Sequence, residues 1–153
     1  MSQKILTNEV RKSIEESVLC WLATSDAAGF PNVSPKEMFV HHSGNAVLVA
    51  NIASPNSERN VLVNPRVCLS FVHVLKQKGY KLHGAARVVQ PSDAEFSDLT
   101  EKLYALGGRE FEIRSVFVIT VDKASPIVAP SYWLFPETTE QSQVEKAKQQ
   151  YGV

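Results

Sequence analysis

The stretch NIASPNSERN (51–60) gathers Asn51, Ser54, Asn56, Ser57 and Asn60 where an apolar run, AVLVA, gives way to the Ser-Pro start of a helix. Residues of these types at a helix N-terminus can bind an anion. The first backbone N–H groups have no intrahelical partner, and the helix dipole leaves partial positive charge there. The amides of Asn56 and Ser57 are expected to face outward. The Ser57 hydroxyl and Asn60 amide, three residues apart, share a helix face and could add donors. The same residues also read as a plain cap with solvated neighbours, because Ser54 at N-cap followed by Pro55 is a common helix start. Lys36 bears on the choice. Counting back from the HSGN turn sets it toward the rim that carries residues 51–54, where it could supply the charge a phosphate needs. Tyr132 and Trp133, in the Pro-rich APSYWLFP (129–136), suit packing, dimer contacts or the wall of a flat heterocycle.

Other chemistries find little support. There is no GxSxG elbow, no GxGxxG and no Walker loop. Cys20 and Cys68 lie far apart inside apolar stretches, without CxxC or Cys/His spacing. They read as buried thiols in a reducing compartment. His41, His42, His73 and His83 show no HExxH or other metal spacing. His73 and His83 flank one expected hairpin and could approach across it, but a metal needs three or four converging ligands, so no metal site is expected.

Composition narrows the class further. The chain has 153 residues, 44% hydrophobic and 21% charged, which suits one globular domain with a real core. Lys+Arg and Asp+Glu both number 16. Zero net charge argues against nucleic-acid binding, which calls for a basic excess. With no apolar leader and no run able to span a bilayer, no membrane partner is expected and the protein is expected to be cytoplasmic.

The elements that must position these residues follow from periodicity. Residues 1–17 hold an N-terminal helix, capped by Thr7 or Asn8, with Leu6, Val10 and Ile14 as its core stripe. Strands are expected over 18–25, 32–40, 46–51, 66–74, 80–90 and 115–122. Pro35 demands an edge or a bulge in the second. Ser54-Pro55 opens a helix that ends at Asn64-Pro65, and residues 93–106 form an amphipathic helix with Phe96, Leu99, Leu103 and Leu106 on one side. The stretch KASPIVAPSYWLFPE reads as irregular. Thr138 and Gln141 make a capping box for a C-terminal helix over 138–153. Six strands in hairpin order with a few helices fit a small antiparallel barrel in one domain over 1–153, with a β-sandwich as the alternative.

Five stretches, in order, resemble one family: LATSDAAGFPNVSPKEMF, AVLVANIAS, NSERNVLVNPRVCLSF, GYKLHGAARVV and SVFVITVD. They are similar to the FMN-binding split β-barrels of the pyridoxamine 5′-phosphate oxidase-like superfamily, over about Val18 to Val121. The resemblance implies a mainly β fold, a six-stranded antiparallel split barrel with helices, and a homodimer with FMN at the subunit interface. Carried over by position, Val33, Ser34, Pro35 and Lys36 would line the isoalloxazine and ribityl side. Asn51, Ile52, Ala53 and Ser54 would pass the flavin through backbone groups, Asn56, Ser57 and Asn60 would hold the phosphate, and Tyr132 and Trp133 would cover the flavin from the partner chain. Many relatives place Lys or Arg where this chain has Asn56 and Ser57, so the phosphate would lean on the helix dipole, Lys36 and Arg59. The C-terminal Arg-x-His of the true pyridoxamine phosphate oxidases has no counterpart in KAKQQYGV. The implied activity is an FMN-dependent oxidoreductase acting on a small molecule, with no acid or base assignable. A non-catalytic flavin-nucleotide binder or sensor and a haem-handling split barrel are the alternatives.

Overall fold

A computed structural model describes residues 3–153, so the first two residues of the expected 1–17 segment lie outside the described residues. The chain runs α1 (Asn8–Glu16), β1 (Cys20–Ser25), β2 (Pro31–Lys36), β3 (Phe39–His41), β4 (Ala46–Asn51), α2 (Pro55–Val63), β5 (Arg66–His73), β6 (Lys78–Val89), α3 (Phe96–Gly107), β7 (Ser115–Val128), α4 (Ser131–Leu134) and α5 (Glu140–Tyr151). No helix among the described residues is long and apolar enough to cross a membrane.

All seven strands form one antiparallel sheet in the order β2-β1-β5-β6-β7-β4-β3. Its two edges, β2 and β3, are consecutive in sequence and separated only by Glu37 and Met38. Three Cα steps reach at most about 11 Å, so the sheet must curl until its edges meet at this corner. The result is a barrel split between β2 and β3. The Met38 carbonyl accepts the Ala50 N–H at 2.9 Å and pins the corner to β4. This corner divides the single strand expected over 32–40, so there are seven strands rather than six. Pro35 sits on the β2 edge, where its missing N–H costs no ladder bond.

Two apolar clusters fill the fold. Inside the barrel, Leu6, Val10 and Ile14 plug one end and meet Leu22, Val47, Val49, Leu69, Phe117 and Ile119. The Thr7 hydroxyl accepts the Val10 N–H and starts α1 in the orientation this plug requires. Outside, α3 lays Leu99 and Leu103 over Met38, Leu48, Ala50, Val116 and Val118. Alternate residues of β4 and β7 therefore serve different cores, which is why AVLVAN reads as an unbroken apolar run. At the β6 bulge between His83 and Gly84, a Cβ on Gly84 would lie 2.2 Å from the Thr120 carbonyl oxygen. Only glycine fits there.

Other expected boundaries move. β7 continues six residues past Asp122, through KASPIV, pairing only with β6 because β4 ends opposite Thr120. Pro126 is tolerated on that one-sided stretch. The start of α3 shifts to Phe96, since Asp93 accepts the Gln90 N–H at 2.7 Å and holds a turn. The C-terminal box uses Thr139 and Ser142 in place of Thr138 and Gln141, and α5 begins at Glu140. His73 faces Lys78 and His83 faces Cys68 across the β5–β6 ladder. The two histidines are thus five positions apart, roughly 17 Å, and do not meet. Cys20 is buried as expected, whereas Cys68 is half-buried on the outer face.

Candidate functional site

The turn after β4 is built around Asn51, which is buried. Its Oδ1 accepts the Ser54 N–H at 3.0 Å, and its amide donates to Ser115 Oγ at 2.9 Å and Glu58 Oε2 at 2.8 Å. Glu58 also accepts from Ser115 Oγ at 2.7 Å and Gln90 Nε2 at 2.9 Å. Burial alone would raise the Glu58 carboxyl pKa, but the bonds from Gln90, Ser115 and Asn51 outweigh it and hold the group below its ordinary value. This network, absent from the sequence expectation, fixes where α2 begins.

Lys36 is the second feature. It ends β2 pointing into the barrel at 7% exposure. Its ammonium crosses the split to donate to Ser54 Oγ at 2.5 Å and lies 5.9 Å from the centre of the Phe117 ring. No carboxylate pairs with it among the described residues. Burial lowers its pKa, and nearby Cys20 offsets this slightly. Ser54, engaged by Lys36, makes no side-chain cap on its own helix. The opening turn of α2 is therefore left without a side-chain cap, beside a buried cation with no counter-ion.

The remaining candidates divide by face. Ser57 is fully buried, with its hydroxyl 2.9 Å from Ser34 Oγ and accepting from Asn32 Nδ2 at 3.4 Å. Asn60 donates to Thr24 Oγ1 at 3.0 Å, and Asn64 to Ser25 Oγ at 2.8 Å. Ser57, Asn60 and Asn64 thus form a polar seam that ties α2 to β1 and β2. Their i, i+3, i+7 spacing, opposite the polar residues Thr24, Ser25, Asn32 and Ser34, was a readable signal for such a seam. Asn56 is exposed, and its Oδ1 accepts from Arg59. Val33 and Pro35 lie exposed on the outer face, whereas Ser34 and Lys36 point toward α2. Ile52 packs against the α3 cluster and Ala53 is exposed. An open cleft of about 320 Å³ runs along α2, lined by Ser54, Glu58, Arg59, Gln90 and Arg114 among others.

Tyr132 and Trp133 do not line this cleft. Tyr132 donates its hydroxyl to the Lys76 carbonyl at 2.8 Å, with the Lys78 ammonium 4.2 Å above its ring. Trp133 is exposed on α4. Burial pushes the Cys20 thiol up to about 12, which leaves it inert as a nucleophile. No group of three or more potential metal ligands gathers among the described residues.

The family model for pyridoxamine 5′-phosphate oxidase matches residues 6–127, from the start of the N-terminal plug through nearly all of β7. The chain belongs to the pyridoxamine 5′-phosphate oxidase family. Solved structures share its fold at low identity. An FMN-binding protein from Syntrophomonas wolfei is 12% identical with a TM-score of 0.69, covering 81% of this chain and 87% of that one. HupZ from Group A Streptococcus is 23% identical with a TM-score of 0.67, covering 80% and 98%. The heme storage protein HutZ from Vibrio cholerae is 20% identical with a TM-score of 0.65, covering 80% and 94%. No curated protein shows significant sequence similarity to the chain.

Against FMN the residues fit selectively. Lys36, the exposed Asn56 and the opening of α2 offer an anion a cation, a polar side chain and a partial positive charge. Ser57 and Asn60 already have partners in the seam. Val33 and Pro35 offer an apolar edge on which a flat ring could rest.

Proposed function

We propose that this member of the pyridoxamine 5′-phosphate oxidase family is an FMN-binding flavoprotein, a cytoplasmic homodimer acting as an FMN-dependent oxidoreductase on a small molecule. The observation that carries the reading is Lys36, a buried ammonium without a carboxylate, seated on Ser54 at the uncapped start of α2. Bound FMN would supply the two-electron chemistry. The chain's own part is to hold and orient it. Lys36, Asn56 and the opening of α2 hold the phosphate, with Arg59 free to turn from Asn56 to the same anion. Residues 51–54 pass the ring with their backbone, and Val33 and Pro35 support its edge. Ser34, Ser57 and Asn60 act indirectly by fixing α2 against the sheet.

Titration of the protein with FMN and with riboflavin tests this, followed by flavin absorbance and fluorescence. FMN binds more tightly than riboflavin, and Lys36→Met and Asn56→Ala weaken FMN while leaving riboflavin nearly unchanged. Equal losses for both ligands sink the phosphate assignment. A protein that binds neither flavin, or one whose spectrum shows a Soret band on haem titration, replaces the reading with another. Anaerobic reduction by NAD(P)H and re-oxidation by added acceptors then separates an oxidoreductase from a flavin binder that never turns over.

A further inference from the structure

The turn between β5 and β6, residues 74–77, is closed by the Gln77 N–H, which donates to the His73 carbonyl at 2.7 Å. The His73 side chain caps it, with Nδ1 accepting the Lys76 N–H at 3.2 Å. Gln77 sits at φ 54, in the left-handed region that a residue other than glycine enters at a cost. The cap therefore helps to hold a turn whose backbone is strained.

The arm that follows β7, residues 129–153 with α4 and α5, is fastened to this turn. Among the described residues, each hydrogen bond or ion pair from the arm to the rest of the chain ends on Lys76, Gln77 or Lys78. The Ala129 N–H donates to the Gln77 carbonyl at 3.0 Å, Tyr132 Oη to the Lys76 carbonyl at 2.8 Å, and Gln77 Nε2 to Tyr151 Oη at 2.9 Å. Glu140 pairs with Lys78 at 3.2 Å and Lys76 at 3.8 Å, and Lys76 also reaches Glu16 on α1 at 2.8 Å.

We propose that this turn is a pH-sensitive latch for the arm, with His73 as its trigger. An imidazole that accepts at Nδ1 is neutral and carries its proton on Nε2. Taking up a proton from solvent puts an N–H on Nδ1, facing the Lys76 N–H it had accepted, and the cap is lost. The charges around the ring act in the same direction. His73 lines a cavity of about 410 Å³ with Glu9, Lys12 and Glu16 from α1, Lys76, Lys78 and Tyr80 from the turn and β6, and Glu140 from α5. Three lysines there meet three glutamates, so an imidazolium leaves the cations in excess. Glu16 and Glu140, which attract it, are the carboxylates that already hold Lys76. The imidazolium thus competes for the ion pairs that fasten the arm, while the turn that spaces those pairs has lost its cap. Near neutrality the arm is closed on the barrel, and in mild acid it is released.

Amide hydrogen exchange of the full chain tests this, read residue by residue and divided by the intrinsic exchange rate at each pH. Between about pH 7.5 and about pH 5.5, where imidazole side chains gain their charge, protection of the Gln77 and Ala129 amides falls about fivefold or more. That is the size expected for the loss of one hydrogen bond. His73→Asn offers an acceptor that does not titrate, and its protection stays level between the two conditions. His73→Leu has no acceptor and shows the lower protection at both. A wild-type chain with no such fall overturns the proposal, and so does a fall of the same size in His73→Asn. A fall shared by the Leu48 and Val118 amides, which are paired in the sheet away from the turn, is general unfolding in acid and overturns it as well.

Discussion

The two outer halves of the sheet are treated very differently. Over β4 and β7, α3 supplies a second core, and nearly every residue of Ala46–Asn51 is buried whichever way it points. The outer face of β1 and β2, which α2 meets only through its polar seam, is left without such a cover, and the strands alternate: Cys20, Leu22 and Thr24 go inward, while Trp21, Val33 and Pro35 stand out. A strand buried on both faces has its packing completed within the chain. One that leaves a tryptophan and a valine bare has not, and the proposed edge for the flavin ring falls on this half.

The sharpest way to break the comparison is to cut one large side chain from each half. Leu103→Ala empties a fully buried position under α3 and is expected to cost about 2–5 kcal/mol of unfolding free energy. Trp21→Ala removes a larger side chain, yet should cost the dilute chain only about 2 kcal/mol or less, because nearly half of that ring already stands in solvent. Urea denaturation at concentrations too low for association measures both. Similar costs would mean that the uncovered half is already packed within the single chain.

A smaller effect is expected at the seam between the halves. Lys36 spans the split with its charge uncompensated, so Lys36→Met should leave the flavin-free protein unchanged or more stable by about 1 kcal/mol at pH 7. The sign with pH follows from burial, which depresses the folded-state pKa of Lys36. Between that value and the unfolded pKa of about 10.4, the unfolded chain binds more protons, so this group makes stability rise with pH. The alkaline gain should vanish in Lys36→Met. If the variant unfolds more easily at pH 7, the ammonium has a stabilising partner and the idea of a vacant anion seat fails.

Much of the fold was legible because it rests on local patterns. The Leu6, Val10, Ile14 stripe, the Ser54-Pro55 start and the continuous run of β4 each follow from periodicity or backbone chemistry at one place. The corner at Glu37–Met38 was not legible, because both sides of it read as strand and only the curl of the whole sheet decides where the chain must bend. Counting back from HSGN did set Lys36 toward residues 51–54, but by assuming one strand paired along β4. In fact β2 lies at the opposite edge of the sheet, and the ammonium reaches Ser54 across the split. Ser57 and Asn60 show the other limit. Polar residues at the start of a helix look alike whether they face a ligand or a strand, and only the partners Ser34, Asn32 and Thr24 decide.

The smallest expected effect lies on the covered half, where Glu58 stitches α2 to Asn51 at the end of β4, Ser115 at the start of β7, and Gln90 just past β6. The three donors overcome the burial that would raise its pKa and keep the carboxyl below its ordinary value. A depressed carboxyl contributes stability above the unfolded pKa of about 4.3 and loses it as pH falls through the lower folded value. Glu58→Gln should therefore be less stable than wild type near neutrality, with the gap narrowing in acid below about pH 4. Glu16, held low mainly by its bond from Lys76, and Glu95, held low mainly by Arg87, titrate in both proteins and cancel in the difference. Urea midpoints from pH 3 to pH 7 measure the gap. Parallel curves for the two proteins would show that the carboxylate is merely solvated, and that the turn presenting Ser54 to Lys36 is held by the Asn51–Ser115 bond without it.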